Sequence, residues 1–323
     1  MKRNYLLALI FLFLLPLFSM GAPKKIWIDA DIKLGKARRD ADNGIGLIMA
    51  LESDSVQIIG IGLVMEVEHG FNVANRFVDL YGKGVKIPIY KGAHRPAEGG
   101  RKTEAVEGLA AALRKQKMTI VALGPVTNIT TTLLLYPELK DSVERLVLCM
   151  GRRPTMHFRP GHNNKWIGDY NFDVDASAAQ YLVASKIPVT LCGYEAASSI
   201  YLKKGDYEFL KSSGKESGKW LYDRFVKLST GWKFYYLSKG FIPFDAVMMA
   251  YVLNPSLLEV EKNIPVDVQT KENDAKMFGD FGEEKDFLVV AKDIQPDRTV
   301  DYCYKVKQGC KDYILGLLKK TVQ

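Results

Sequence analysis

Cysteine and histidine are scarce in this chain. There are four of each in 323 residues, with no CxxC pair and no histidine cluster, which argues against a zinc site. Cys149 and Cys192 fall in apolar, strand-like segments and read as small core residues. Cys303 and Cys310 lie close together near the C-terminus, so a disulfide between them is one alternative and two free thiols the other. Internal repeats, low-complexity tracts and linker-like stretches are also missing, and one domain is expected. The formal net charge is +8, but Lys and Arg are scattered rather than clustered with aromatics. That pattern gives a mildly basic surface, not a nucleic-acid footprint.

One apolar run stands out, at the N-terminus. Lys2 and Arg3 precede Tyr5–Phe18, and small residues follow at Ser19, Gly21 and Ala22. This is the layout of a secretory signal peptide, with a run too short for a membrane anchor. Cleavage is expected near Ala22, leaving 23–323 as the folded domain in a secreted or periplasmic location. No cysteine at the junction offers a lipid attachment point.

Short β-branched runs then alternate with longer amphipathic stretches. Strands are expected at Lys25–Ile28, Gln57–Val64, Ile87–Tyr90, Met118–Leu123, Arg145–Met150 and Val189–Cys192, with late ones at Ile264–Val268 and Asp286–Val290. Helices are expected at Gly44–Leu51, Val73–Tyr81, Glu104–Arg114, Asn128–Leu135 and Ala176–Ala184, and through most of Lys203–Leu253. This alternation predicts an α/β fold, a mostly parallel open sheet covered by helices on both faces. Trp220, Phe225, Trp232, Phe234, Tyr235 and Tyr236 read as core aromatics.

Chemistry concentrates in four segments. After the first strand come Asp29, Asp31, Asp40, Asp42 and Asn43, on a strand-to-helix loop at the carboxyl edge of the sheet, where open α/β folds hold ligands. Crowded carboxylates there call for a cation, and hard divalent ions choose oxygen ligands; a solvated acidic loop is the plainer alternative. The second segment is Leu123-Gly-Pro-Val-Thr-Asn128, where Thr127 or Asn128 can cap a helix and the turn leaves carbonyl oxygens free. The third runs from Gly161 to Asp175. Asp175 suits a helix N-cap, while Asp169 and Asn171, two apart in an extended segment, point the same way and could clasp vicinal sugar hydroxyls. The fourth is Phe244-Asp245, an acid opening an apolar helix.

In this order the segments resemble the nucleoside hydrolases, the inosine–uridine-preferring N-ribohydrolases and their relatives. Asp29-Ala-Asp31, Gly35 and Asp42-Asn43 look like the family's opening pattern, with Lys36–Arg39 lengthening the loop. Leu123–Asn128 is similar to its Gly-Pro-Leu-Thr-Asn turn, Gly168–Asp175 to its Glu-Phe-Asn segment, and Ile87–Pro96 to its Pro-Val-(Tyr)-x-Gly stretch. The resemblance spans roughly residues 24–255.

The resemblance implies hydrolysis of a nucleoside's N-glycosidic bond. It implies Ca²⁺ held by Asp31, Asn43, the Leu123 carbonyl and Asp245, with a metal-bound water attacking the ribose and Asp31 as general base. It also implies ribose hydroxyls bound by Asp42, Asn163, Asp169 and Asn171, and an assembly of two or four copies. Trp166 and Tyr170 could stack on the base, and His162 could protonate it. Glu66, Glu68 and His69 follow the second strand, where the family places another ribose contact.

Three positions depart from the pattern. Asn43 stands for a second Asp and removes a charge, Asp169 shortens a Glu, and Phe244 stands where many purine-using members carry a His. A degenerate protein that only binds a nucleoside or sugar is therefore an alternative. A further one is a haloacid-dehalogenase-type phosphatase with Asp29 as nucleophile and Mg²⁺ as cofactor, which leaves Asp42 and the Gly-Pro turn unexplained.

Overall fold

The structure is a computed structural model that describes residues 22–35, 42–163, 165–274, 283–294 and 298–323. The signal-peptide segment and the inserted loop Lys36–Arg39 with Asp40 lie outside the described residues.

The chain opens with strand β1 (Lys24–Ala30), helix α1 (Asp42–Leu51), β2 (Val56–Leu63), α2 (Val67–Tyr81) and β3 (Ile89–Lys91). It continues with α3 (Glu104–Lys115), β4 (Met118–Ala122), α4 (Thr127–Leu135) and β5 (Val143–Leu148). Then follow α5 (Tyr170–Val174), α6 (Ala176–Val183), β6 (Val189–Cys192), α7 (Tyr194–Ala197) and α8 (Glu208–Ser212). The long α9 (Glu216–Tyr236) leads to α10 (Phe244–Leu253), β7 (Leu258–Glu272), β8 (Glu284–Val290), β9 (Thr299–Val306) and α11 (Cys310–Lys320).

These strands form one sheet in the order β3-β2-β1-β4-β5-β6-β9-β7-β8. Pairing is parallel from β3 through β6 to β9, and antiparallel for β9 with β7 and β7 with β8. β1 is buried without interruption from Ile26 to Ala30, as a central parallel strand covered on both faces must be. Its side chains divide between two cores. Ile26, Ile28 and Ala30 join α1, α2, α9, α10 and α11 on one face. Trp27 joins residues of α3, α4 and α6 on the other.

Trp27 lies flat against β2, stacked on Tyr90 with ring centroids 5.5 Å apart. A Cβ at Gly60 would fall 2.5 Å from its ring, and one at Gly62 would fall 2.3 Å from Asp29 Oδ2. The Gly-Ile-Gly of β2 is therefore a trough for the two residues of β1 that face it.

The structure adds a strand, decides between the two cysteine alternatives and corrects one expectation. β9 slots between β6 and β7, a strand not foreseen. All four cysteines are free, so Cys303 and Cys310 are not bridged; Cys303 instead sits beside Cys192 on the neighbouring strand. Phe234 and Tyr235 are exposed rather than core. They belong to the last turn of α9, beyond the point where Phe225 and Leu228 reach the core.

Candidate functional site

Three loop-and-helix starts converge at the carboxyl ends of β1 and β4. Asp31 and Lys33 follow β1 directly. Asp42 and Asn43 begin α1, and Asp245 lies in the first turn of α10, which packs along α1. Leu123 follows β4. Asp31, Asp42, Asn43 and Asp245 are all buried, and so is Lys33, at 6% exposure.

The centre of this cluster is the Asn43 amide. Its Nδ2 shares two hydrogens among Asp31 Oδ1 at 2.7 Å, the Leu123 carbonyl at 2.7 Å and Asp245 Oδ2 at 2.9 Å. Asp31 Oδ2 forms a salt bridge with the Lys33 ammonium, which also stands 3.8 Å from the centre of the Tyr170 ring. Burial works against the Lys33 charge, but Asp31 and Tyr170 outweigh it and raise its pKa. Asp42 Oδ2 accepts from the Asp245 backbone N–H at 3.1 Å, so one helix start caps the other. Asp245 is thus turned into the cluster and does not cap its own helix, whose N-cap is Pro243.

Behind this layer Asn128 fastens the strand ends. Its Nδ2 donates to Asp29 Oδ1 at 3.2 Å and to the Leu63 carbonyl at 2.9 Å, and its Oδ1 accepts from Ala93 N–H at 2.9 Å. Neither Asn128 nor Thr127 caps α4, as the sequence suggested; both lie inside it. Thr127 donates its hydroxyl to Asp175, which also N-caps α6 as expected. Burial pushes the Asp29 carboxyl up to about 7, against its bonds from Trp27 and Asn128. A buried carboxyl so engaged is a structural strut, not an exposed nucleophile.

A second group lies at the end of β5. Asp169 accepts from the Gly151 N–H at 2.6 Å, and Asn171 donates to the Cys149 carbonyl at 3.0 Å. The segment is helical from Tyr170, so Asp169 and Asn171 do not alternate along an extended strand. Burial, then the neighbouring Asp173, pushes Asp169 up to about 7, opposed by the Gly151 N–H, Arg152 and Lys285. Cys149 links the two groups. Burial raises its thiol pKa strongly, and Asp245, Asp42 and Asp169 add to that. The sequence marked this cysteine only as core, because the expected strand Arg145–Met150 ran through it, whereas β5 ends at Leu148.

The remaining candidates lie along the rim. Asn163 donates to the Tyr235 carbonyl at 2.8 Å, and His162 is exposed. Trp166 stacks on His157 with ring centroids 4.4 Å apart. Among the described residues none of these three shares a hydrogen bond with the carboxylate cluster. Tyr170 joins it through Lys33. Phe244 belongs to an aromatic wall, 5.9 Å from Tyr194 and 6.4 Å from Trp232 between ring centroids. His69 meets the Leu34 carbonyl at 3.0 Å, bracing the loop after β1.

The donor set bears on the cation that the resemblance implied. Ca²⁺ takes about 6 to 8 oxygens at roughly 2.3–2.6 Å. Here Asp31, Leu123 and Asp245 share a common neighbour, and that neighbour is an amide nitrogen. An N–H donor points its positive end where a metal would stand, and an ammonium already serves the other Asp31 oxygen. As arranged, these residues do not fit a divalent cation. Among the described residues no three His, Cys, Asp or Glu side chains gather in a metal-holding arrangement.

The fold has clear counterparts. Purine-preferring ribonucleoside hydrolase from Gardnerella vaginalis superimposes with a TM-score of 0.74 at 19% identity, covering 93% of this chain and 99% of that one. Pyrimidine-specific ribonucleoside hydrolase RihA of Shewanella oneidensis is 33% identical over 110 residues, 33% of each chain. Non-specific ribonucleoside hydrolase RihC of Salmonella paratyphi A is 28% identical over 146 residues, 45% of this chain and 44% of that one. The alignments thus span from a third to less than half of these two curated relatives. The profile described as inosine-uridine preferring nucleoside hydrolase matches residues 26–306. With that match over most of its length, the chain belongs to the inosine-uridine preferring nucleoside hydrolase family.

Proposed function

We propose that this protein is an enzyme that hydrolyses the N-glycosidic bond of a nucleoside or related ribosyl compound. The observation that carries the reading is the convergence of Asp31, Asp42 and Asp245 from three separate elements at the carboxyl edge of the sheet, in a member of this family. Carboxylates there favour a sugar that becomes cationic as its bond to the base breaks, the logic of an inverting glycosidase. In this reading Asp31 is the general base, and its other partner, beside Asn43, is the Lys33 ammonium. Asp42, Asp169 and Asn171 bind ribose hydroxyls, and the Phe244–Tyr194–Trp232 wall faces the base.

The relatives' names include pyrimidine-specific, non-specific and purine-preferring enzymes, so the base is left to experiment. The test is ribose release from a panel of purine and pyrimidine nucleosides. Asp42→Asn is expected to lower kcat/KM by at least ~100-fold, about 2.7 kcal/mol of transition-state stabilisation. Equal activity of the variant and wild type would sink the assignment. Export through the N-terminal segment and assembly as a homodimer or homotetramer complete the proposal; N-terminal sequencing of exported protein and light scattering check them.

One observation favours a second reading, a protein that binds nucleosides without turnover: the Asn43 amide fills the middle of the carboxylate cluster. Saturable nucleoside binding by calorimetry with no ribose released would establish it.

A further inference from the structure

We propose that Lys33 and Asn43 together replace the divalent cation in this protein, so that its site works with a built-in monovalent one. This goes beyond the proposed reaction and concerns what neutralises the cluster, whichever role the cluster plays.

The argument begins with charge. Asp31, Asp42 and Asp245 lie buried within one cluster, and buried carboxylates persist as anions only if paired or hydrogen-bonded. Lys33 is itself almost fully buried, with its ammonium on Asp31 Oδ2 and against the Tyr170 ring. A lysine tolerates such burial when a counter-charge and an aromatic face receive it. Here both are present.

The second observation is independent of the first. Asn43 shares its two amide hydrogens among Asp31, Leu123 and Asp245, with its nitrogen 2.7, 2.7 and 2.9 Å from their oxygens. Turning the amide over would set Oδ1 against the same three oxygens, an arrangement that only a cation between them would hold. With the ammonium serving one side of Asp31 and the amide the other, both Asp31 oxygens already have positive partners. Sequence position explains how both arrive. Lys33 lies two residues beyond Asp31 on the same loop, and Asn43 opens the helix facing it.

The test uses the purified full-length protein, treated with chelator and titrated with CaCl₂ or MgCl₂ in a calorimeter, with thermal unfolding run in parallel. Wild type is expected to give no binding heat and no change in Tm at millimolar metal. The Lys33→Met/Asn43→Asp double variant makes the cluster more negative by two charges, and ligand charge tunes calcium affinity. Its affinity for Ca²⁺ is expected to exceed wild type's by at least ~100-fold, with Tm rising on calcium addition. Micromolar binding by wild type would overturn the proposal. So would a folded double variant that stays indifferent to calcium, because Lys33 and Asn43 would then not be what replaces the metal. Should the double variant fail to fold, Asn43→Asp alone and the wild-type titration decide it. These readouts need no turnover, so failed ribose release would count against the enzyme reading and leave this one standing. If ribose is released, chelator is expected to leave the rate unchanged.

Discussion

Asn128 and Asp29 meet at 3.2 Å beneath the carboxylate cluster, where the amide ties the end of β1 to the carbonyl of Leu63 on β2 and to Ala93 N–H after β3. One side chain on α4 therefore sets the spacing of three neighbouring strand ends. Replacing it by alanine leaves Asp29, Leu63 and Ala93 groups buried without that partner. Each orphaned group costs about 1–3 kcal/mol. Asn128→Ala is expected to lower stability by about 3 kcal/mol, read as a fall in urea midpoint at constant slope. Asn128→Asp should be worse, because it sets a second carboxylate against Asp29.

Gly62 in the β2 trough and Gly231 on α9 give opposite predictions. A Cβ at Gly62 would fall 2.3 Å from Asp29 Oδ2, so Gly62→Ala must displace the carboxylate and should cost about 1–3 kcal/mol as overpacking does. Gly231 is exposed in the interior of α9 and has nothing within 4 Å of its Cβ position. Gly231→Ala should stabilise by about 0.5–1 kcal/mol through helix propensity. Thermal melts of the two variants should move in opposite directions; a stabilised Gly62→Ala would contradict the close approach.

Asp169 supplies a pH signature. Its carboxyl is pushed up to about 7 in the fold, first by burial and then by Asp173, from an ordinary value of 3.8. The folded state therefore holds this proton more tightly than the unfolded chain does. The associated stability is fully present below about pH 4 and is lost as pH rises through about 7. Asp169→Asn cannot titrate. The stability of this variant relative to wild type should climb between about pH 4 and 7 and then level off. Urea midpoints across that range are the measurement, and a flat difference would show that Asp169 keeps an ordinary pKa.

Asp175 serves two helices at once. It accepts from Ala178 N–H at 3.3 Å as the N-cap of α6, and from the Thr127 hydroxyl in the first turn of α4. Asp175→Ala should cost about 1–2 kcal/mol for the cap alone. A cycle with Thr127→Val should reveal a coupling of at least about 0.5 kcal/mol. Additive single effects would mean that the two helices do not communicate through this carboxylate.

How much of this was legible beforehand depends on the range of the interaction. The parallel strands announced themselves as short β-branched runs because a central strand is apolar on both faces. Asp175 was readable as a cap because capping is a local bond, made three residues away. β9 was missed. Its sequence Thr299–Val306 does carry the period-2 signal, with Val300, Tyr302, Tyr304 and Val306 alternating with Thr299, Asp301, Cys303 and Lys305; its place between β6 and β7 is set by the fold. The exposed end of α9 was misread for a related reason, since aromatic content does not say where a helix outruns the core that it packs against.

The fold class, the family pattern and the gathering of acids after β1 are legible in the chain alone, because each is written in local periodicity or in short motifs. The chain also shows that residue 43 is an amide where a carboxylate is usual. What that amide does follows from the packing of distant segments. Asn43 meets Leu123 and Asp245 across separations of 80 and 202 residues, and Lys33 folds back onto Asp31 beneath the Tyr170 ring. No one-dimensional pattern states whether a buried carboxylate is answered by a metal, an amide or an ammonium. That choice depends on which donors the sheet and its helices bring within about 3 Å, the distance at which desolvated charges must be paired.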